Sequence, residues 1–103
     1  MINKFFQFLG IVKKSGNLII GYNKCEDAIK KSKVCLIILS KQCSDNTKNK
    51  FKNYCTRYNV PLIEDVSSVD LSIVLGREGL NVLGIANEKM TEKLVSLHKE
   101  FNN

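Results

Sequence analysis

The chain of 103 residues has no tryptophan, a single histidine and a single proline. Its longest uninterrupted apolar run, at positions 34–39, has six residues, which is far too short to cross a bilayer. The first nine residues contain one lysine and no extended apolar segment, so they do not predict a secretory signal. These absences predict a cytoplasmic protein that does not associate with membranes.

The sequence also lacks the bias of a disordered or low-complexity segment, because 44% of its residues are hydrophobic and 25% are charged. A chain of this length buries roughly two-thirds of its unfolded surface in one core. We therefore expect one domain, residues 1–103.

Motifs for metal binding and catalysis are scarce. The four cysteines, at positions 25, 35, 43 and 55, form no C-x-x-C pair, so we expect reduced structural thiols and neither metal nor cofactor. His98 has no nucleophile arranged beside it in the sequence, and Gly76-x-x-Gly79 lacks the Lys-Ser/Thr of a phosphate loop. One enzymatic alternative stays open: Glu64 and Asp65 are adjacent acids near a strand end, although a solvated loop is favoured over a catalytic pair.

Positive charge is abundant and unevenly distributed. Sixteen Lys and Arg against ten Asp and Glu give a net charge of +6. Residues 1–60 carry a net +9 and residues 61–103 a net −3. Such asymmetry is typical of a protein that binds a polyanion such as nucleic acid, and the alternative is a basic surface that is merely solvated.

Apolar periodicity predicts alternating helices and strands. A first helix ends near Lys14, and strands are predicted at 18–20, 34–39, 60–63 and 82–86. Asn23 and Asn87 are candidate N-caps for the second and the last helix, and the apolar face of the last helix is predicted to run from Met90 to Phe101. Strict alternation with short connections predicts a three-layer α/β/α sandwich.

Helix starts and loops carry the groups that suit RNA. Backbone donors at a helix N-terminus attract phosphate, asparagine pairs with base edges, and lysine adds salt-sensitive affinity. Asn23 and Asn46 have the alternative role of simple caps. The candidate residues from these segments are Lys14, Gly21, Asn23, Lys24, Lys41, Asn46 and Lys48.

Together these segments resemble a family of small RNA-binding proteins related to the large-subunit ribosomal proteins seven-A/E and thirty-E, in particular its bacterial YlxQ-type branch. The resemblance covers nearly the whole chain. It rests on the order and spacing of the segments at 8–18, 21–29, 33–40, 46–48, 58–61 and 75–78.

The resemblance implies a four-stranded mixed sheet, no catalytic activity, and binding to a kink-turn, which is a sharply bent RNA internal loop. In the family, a G-x-N-E-x-x-K stretch reads guanines and the loop before the last strand contacts an extruded nucleotide. Carried over by position, Gly21 and Asn23 belong to the first element. The segment from Arg77 to Val82, which includes Glu78, Gly79 and Leu80, belongs to the second.

Two positions depart from the family motif, because Lys24 stands where the family has Glu and Asp27 where it has Lys. Lysine cannot accept hydrogen bonds from guanine, although it can hold a phosphate. We expect a monomer that binds structured RNA, possibly ribosomal, without DNA specificity. The alternative is a ribosome-associated or protein-interaction factor that keeps the fold without the kink-turn specificity.

Overall fold

The computed structural model describes residues 3–101 and has alternating helices and strands, as predicted. The elements are α1 (Lys4–Lys14), β1 (Leu18–Ile20), α2 (Tyr22–Lys30), β2 (Leu36–Ser40), α3 (Asp45–Tyr58), β3 (Leu62–Val66), α4 (Ser68–Leu75), β4 (Val82–Ile85) and α5 (Glu88–Phe101).

The four strands form one mixed sheet in the order β1-β4-β2-β3. β4 runs antiparallel to both β1 and β2, while β2 and β3 are parallel. The carboxyl ends of β1, β2 and β3 therefore meet the start of β4 at one edge of the sheet. α2, α3 and α4 all begin at this edge, because each directly follows one of those three strands.

Two apolar layers cover the sheet. One packs α1, α4 and α5 against one face through residues such as Leu9, Leu71 and Leu94. The other packs α2 and α3 against the opposite face around Ile29 and Phe51. β2 contributes to both layers and is buried along its whole length, which confirms the predicted central strand and the three-layer sandwich.

The boundaries of three strands differ from the sequence prediction, and β4 ends at Ile85 rather than at position 86. β2 begins at Leu36 rather than at position 34, and β3 begins at Leu62 rather than at position 60. Pro61 precedes β3 because it has no N–H to give to the sheet, although its carbonyl accepts from the Ile37 N–H at 3.1 Å. The predicted burial of Phe101 in α5 is wrong, since its side chain is 50% exposed.

Helix starts are set by short polar side chains. Ser44 and Ser67 accept from the backbone N–H groups of Thr47 and Asp70, both at 3.2 Å. The predicted cap of α5 is confirmed, since Asn87 Oδ1 accepts from the Met90 N–H at 2.9 Å. The prediction that Asn23 caps α2 is wrong: Gly21 is the capping residue and Asn23 lies inside the first turn.

Within residues 3–101 no helix is both long and apolar enough to span a bilayer. The same residues contain no group of three or more His, Cys, Asp or Glu side chains placed to hold a metal ion.

Candidate nucleic-acid interface

A surface cleft lies at the edge where β1 and β2 end and β4 begins, and we call it the edge cleft. Its volume is about 230 Å³. It is lined by Ile20, Gly21, Tyr22, Thr47, Arg77, Glu78, Gly79, Leu80, Asn81 and Val82. The structure thus brings the start of α2 together with the loop before β4, the two segments that the sequence singled out.

Gly21 joins β1 to α2 in a backbone conformation that favours glycine. Its φ is +105°, and its N–H donates to the Val82 carbonyl at 3.0 Å. A Cβ built at Gly21 would meet nothing within 4 Å, so the glycine serves the backbone conformation and leaves open space in front of it. A ligand can therefore approach the start of α2 closely.

The loop between α4 and β4, residues 76–81, is anchored at both ends. Gly76 and Gly79 have positive φ values of +68° and +73°. Leu80 is buried in the core, and Ser40 Oγ donates to Asn81 Oδ1 at 3.1 Å. The buried Leu80 side chain supports the loop from inside, while Arg77, Glu78 and Gly79 stay exposed.

The first turns of α2 present polar groups beside the cleft. Asn23 and Lys24 are both exposed and follow Tyr22 directly. Asp27 lies one turn further on and forms an ion pair with Lys31 at 3.1 Å, in which both side chains are largely exposed. Asp27 is therefore directed along α2, while Asn23 and Lys24 are available to a ligand.

Lys41, Asn46 and Lys48 lie at the same edge of the sheet. Lys41 follows β2 and its N–H donates to the Val66 carbonyl at 2.8 Å. Asn46 is exposed in the first turn of α3, whose cap is Ser44. Lys48 Nζ lies 3.8 Å from Asp65 Oδ1, so its charge is partly committed within the protein.

Lys14 is the predicted site residue that the structure brings to a different surface. It lines a groove between α1 and α4 together with Gly10, Ile11 and Val74. It does not line the edge cleft.

Sequence reasoning did not select Ile20, Tyr22 and Thr47, which also line the cleft. Each adjoins a predicted site residue, so proximity along the chain was the available signal. The Tyr22 ring packs edge-on against buried Phe51, with centroids 5.2 Å apart. This contact fixes the start of α2 against α3.

A polar cluster reinforces the contact between α2 and α3. Tyr54 donates to Glu26 Oε2 at 2.6 Å, which lowers the pKa of Glu26 and raises that of Tyr54. Lys50 Nζ lies 3.5 Å from the same carboxylate and 5.9 Å from the centre of the Tyr22 ring. A hydrogen bond to Tyr22 raises the pKa of Lys50, so this lysine is held within the cluster.

The two acids of the enzymatic alternative lie in β3, an edge strand, rather than in a loop. Glu64 pairs with Lys52 at 3.3 Å and Asp65 with Lys48. Asp65 has φ +56°, at an irregularity in the pairing of β2 with β3. Both carboxylates thus have structural partners on α3.

The cysteines behave as small apolar side chains. Cys25, Cys43 and Cys55 are buried and Cys35 is half-buried, all as free thiols. Burial raises the pKa of Cys25 to about 12 and that of Cys55 to about 11, so these thiols stay protonated at neutral pH.

The chain forms a small α/β/α domain with an open cleft at one edge of its sheet, and comparison with known proteins identifies its family. Residues 3–95 match the Ribosomal protein L7Ae/L30e/S12e/Gadd45 family. The chain belongs to that family, which confirms the resemblance seen in the sequence.

Two curated relatives are RNA-binding proteins named YlxQ. The protein from Bacillus subtilis (strain 168) is 26% identical over 94 residues, covering 91% of this chain and 94% of that protein. The protein from Enterococcus faecium is 27% identical over 94 residues, covering 91% of this chain and 90% of that protein.

Solved structures share the fold. A protein of unknown function from Bacillus halodurans C has a TM-score of 0.89 and 25% identity, over 93% of this chain and 97% of that one. The Giardia lamblia 15.5kD RNA binding protein has a TM-score of 0.74 at 13% identity, over 92% of this chain and 82% of that one. The second likeness concerns the fold alone.

Proposed function

We propose that this protein is a non-catalytic RNA-binding domain that holds a kink-turn in the edge cleft. The observation that carries the proposal is the meeting of the Gly21 turn with the Arg77–Gly79 loop across one open cleft. Its curated relatives, both named as RNA-binding proteins, support the choice of ligand. We further propose that it acts as a cytoplasmic monomer on structured RNA, including ribosomal RNA.

Each element of the cleft has a chemical task in this proposal. The open backbone at Gly21 and the N-terminus of α2 approach the RNA closely, where the helix dipole favours phosphate. Asn23 offers both a donor and an acceptor to a base edge. Lys24, Lys41 and Arg77 provide exposed positive charge for the RNA backbone.

A carboxylate is available for guanine despite the lysine at position 24. Glu78 lines the cleft and is exposed, and a carboxylate accepts from the N1–H and N2–H groups of guanine. We propose that Glu78 supplies this acceptor from the loop side, with Lys24 on a phosphate or on guanine O6. If guanine is not recognised because position 24 is lysine, the second candidate function applies, which is a factor without kink-turn specificity.

The test measures the affinities for a kink-turn RNA and for a duplex of equal length without the internal loop, by fluorescence anisotropy. Asn23→Ala should lose about 1–3 kcal/mol of preference for the kink-turn, the usual value of a base-edge contact. Glu78→Gln should weaken the same preference. Asn53→Ala is the matched control, since Asn53 is an exposed helical asparagine in the middle of α3.

Equal affinity of the parent protein for both RNAs would remove the kink-turn proposal and favour the factor without specificity. An Asn53→Ala variant that loses as much preference as Asn23→Ala would remove the edge cleft as the reading site.

A further inference from the structure

Exposed apolar side chains lie on α1 and α4, and we call them together the apolar band. Ile11, Val69 and Ile73 are 53%, 64% and 60% exposed. Val69 and Ile73 are four residues apart and so lie together on the side of α4 opposite buried Leu71 and Leu75. A helix with apolar side chains on two opposite sides normally packs against other groups on both sides. Within residues 3–101, α4 is packed on the side of Leu71 and Leu75 and exposed on the side of Val69 and Ile73.

A groove between the two helices runs beside this band. Its walls include Ile11 from α1 and Val74 from α4, with Gly10 between them. A Cβ at Gly10 would lie 3.8 Å from the Val74 carbonyl oxygen, which is an ordinary contact, so packing of α1 on α4 does not require glycine there. Glycine is less favourable than alanine inside a helix, and at this position its effect is to deepen the groove.

The charge beside the groove is positive. The residues that line it include Lys13 and Lys14 and no acidic residue. The Lys13 ammonium donates to the Leu75 carbonyl at 2.5 Å and holds the end of α4 against α1. Lys14 is exposed at the groove, and among residues 3–101 it has no ion-pair partner.

These features favour one kind of occupant. A second copy in a two-fold arrangement would bring the same groove, with Lys13 and Lys14, against itself, and these like charges oppose the contact. RNA gains little from exposed Ile and Val, because aliphatic side chains give bases no aromatic surface for stacking. An amphipathic helix with acidic flanks satisfies both the apolar band and the lysines.

We propose that the α1–α4 face docks an acidic amphipathic helix of a protein partner. The helix lays its apolar side along Ile11, Val74 and Ile73 and its carboxylates toward Lys14. None of these four residues lines the edge cleft, so docking does not depend on whether the cleft binds a kink-turn.

The probe is a designed peptide of about 18 residues, roughly 27 Å of helix, with Leu along one face and Glu elsewhere. A reference peptide has the same composition with the leucine positions scrambled. Saturable binding of the first peptide is expected by fluorescence anisotropy. Ile73→Ser should weaken it about tenfold or more, as expected when a buried isoleucine contact is lost. Lys14→Glu should weaken it as well.

Phe101→Ser is the matched control, because Phe101 is similarly exposed but lies on α5. It should leave peptide binding unchanged, and circular dichroism of every variant should match the parent. The proposal is overturned if the designed peptide does not bind, if the scrambled peptide binds equally, or if Phe101→Ser weakens binding as much as Ile73→Ser. A dimer in sedimentation that Ile73→Ser dissociates would also overturn it, in favour of a second copy.

Discussion

The salt dependence of RNA binding follows from counting the charges that are free to meet phosphate at the edge cleft. Among residues 3–101, Lys24, Lys41 and Arg77 lie at this edge, are exposed and have no ion-pair partner. Lys48 is paired with Asp65, and Lys14 lies in the α1–α4 groove. Three phosphate contacts give a slope of log affinity against log salt of about −2 to −3.

This slope corresponds to a loss of affinity of roughly 20- to 40-fold between 50 and 200 mM salt. The perturbation is Asp65→Asn, which removes the partner of Lys48 and adds a free cation. Since Asp65 has φ +56° and asparagine tolerates this conformation well, the backbone should be unaffected. The slope should steepen by about 0.7–0.9.

Titrations at four or five salt concentrations, with a fixed kink-turn RNA, measure the slope. Lys24→Ala should make the slope less steep by about 1, which is the value of one phosphate contact. Lys89→Ala should not, because Lys89 lies in the first turn of α5, at the opposite edge of the sheet. A slope near zero, an unchanged slope in Asp65→Asn, or equal effects of Lys24→Ala and Lys89→Ala would each refute the charge count.

Three further predictions concern the reading motif, the thiols and the histidine. The double variant Lys24→Glu/Asp27→Lys should bind a kink-turn more selectively than the parent at matched salt, because it restores an acceptor for guanine on α2; unchanged selectivity would contradict the family's docking geometry. The purified protein should contain no stoichiometric zinc by elemental analysis and should keep its circular dichroism spectrum in chelator, whereas unfolding on chelation would contradict structural thiols. Burial lowers the pKa of His98 below its ordinary value of 6.5. Its contribution to the free energy of unfolding should therefore be fully present above pH 6.5 and should be lost as the pH falls through the lowered pKa. Denaturant midpoints at about pH 7.5 and 5.5 should differ less in His98→Gln than in the parent, and an equal difference would assign the decline to other groups.

Local patterns predicted the order of the elements, because each helix start and stop has a chemical signal in the sequence. Ser67 and Asn87 precede helices and cap them. The α2 start was harder to predict: Asn23 has the chemistry of a cap, but the positive φ of Gly21 ends β1 two residues earlier. Only the backbone conformation distinguishes these two candidates.

The role of Glu64 and Asp65 depended on sheet order, which periodicity does not determine. β3 is an edge strand, so part of it faces solvent and tolerates charge. The acids therefore fit inside the strand, where lysines of α3 pair with them. The order β1-β4-β2-β3 is set by connections that cross over between strands, and no local sequence pattern predicts it.

The edge cleft was predictable in part. The family resemblance paired the α2 start with the loop before β4, and the structure brings these two segments together. Lys14 was grouped with them as a charge near a helix end, but α1 precedes β1 and ends at the opposite edge of the sheet. The burial of Leu80 was also hidden, because an apolar residue between Gly79 and Asn81 is equally compatible with a surface loop.

Mapping of the RNA contact by NMR tests the central claim most directly. Backbone amide signals of the ¹⁵N-labelled protein are followed while a kink-turn RNA is added. We predict that the largest shifts fall at Gly21, Asn23, Lys24 and the Arg77–Gly79 loop, with little change at Ile11 and Ile73. Shifts concentrated on the α1–α4 face or on α5, with the edge cleft unchanged, would contradict the account.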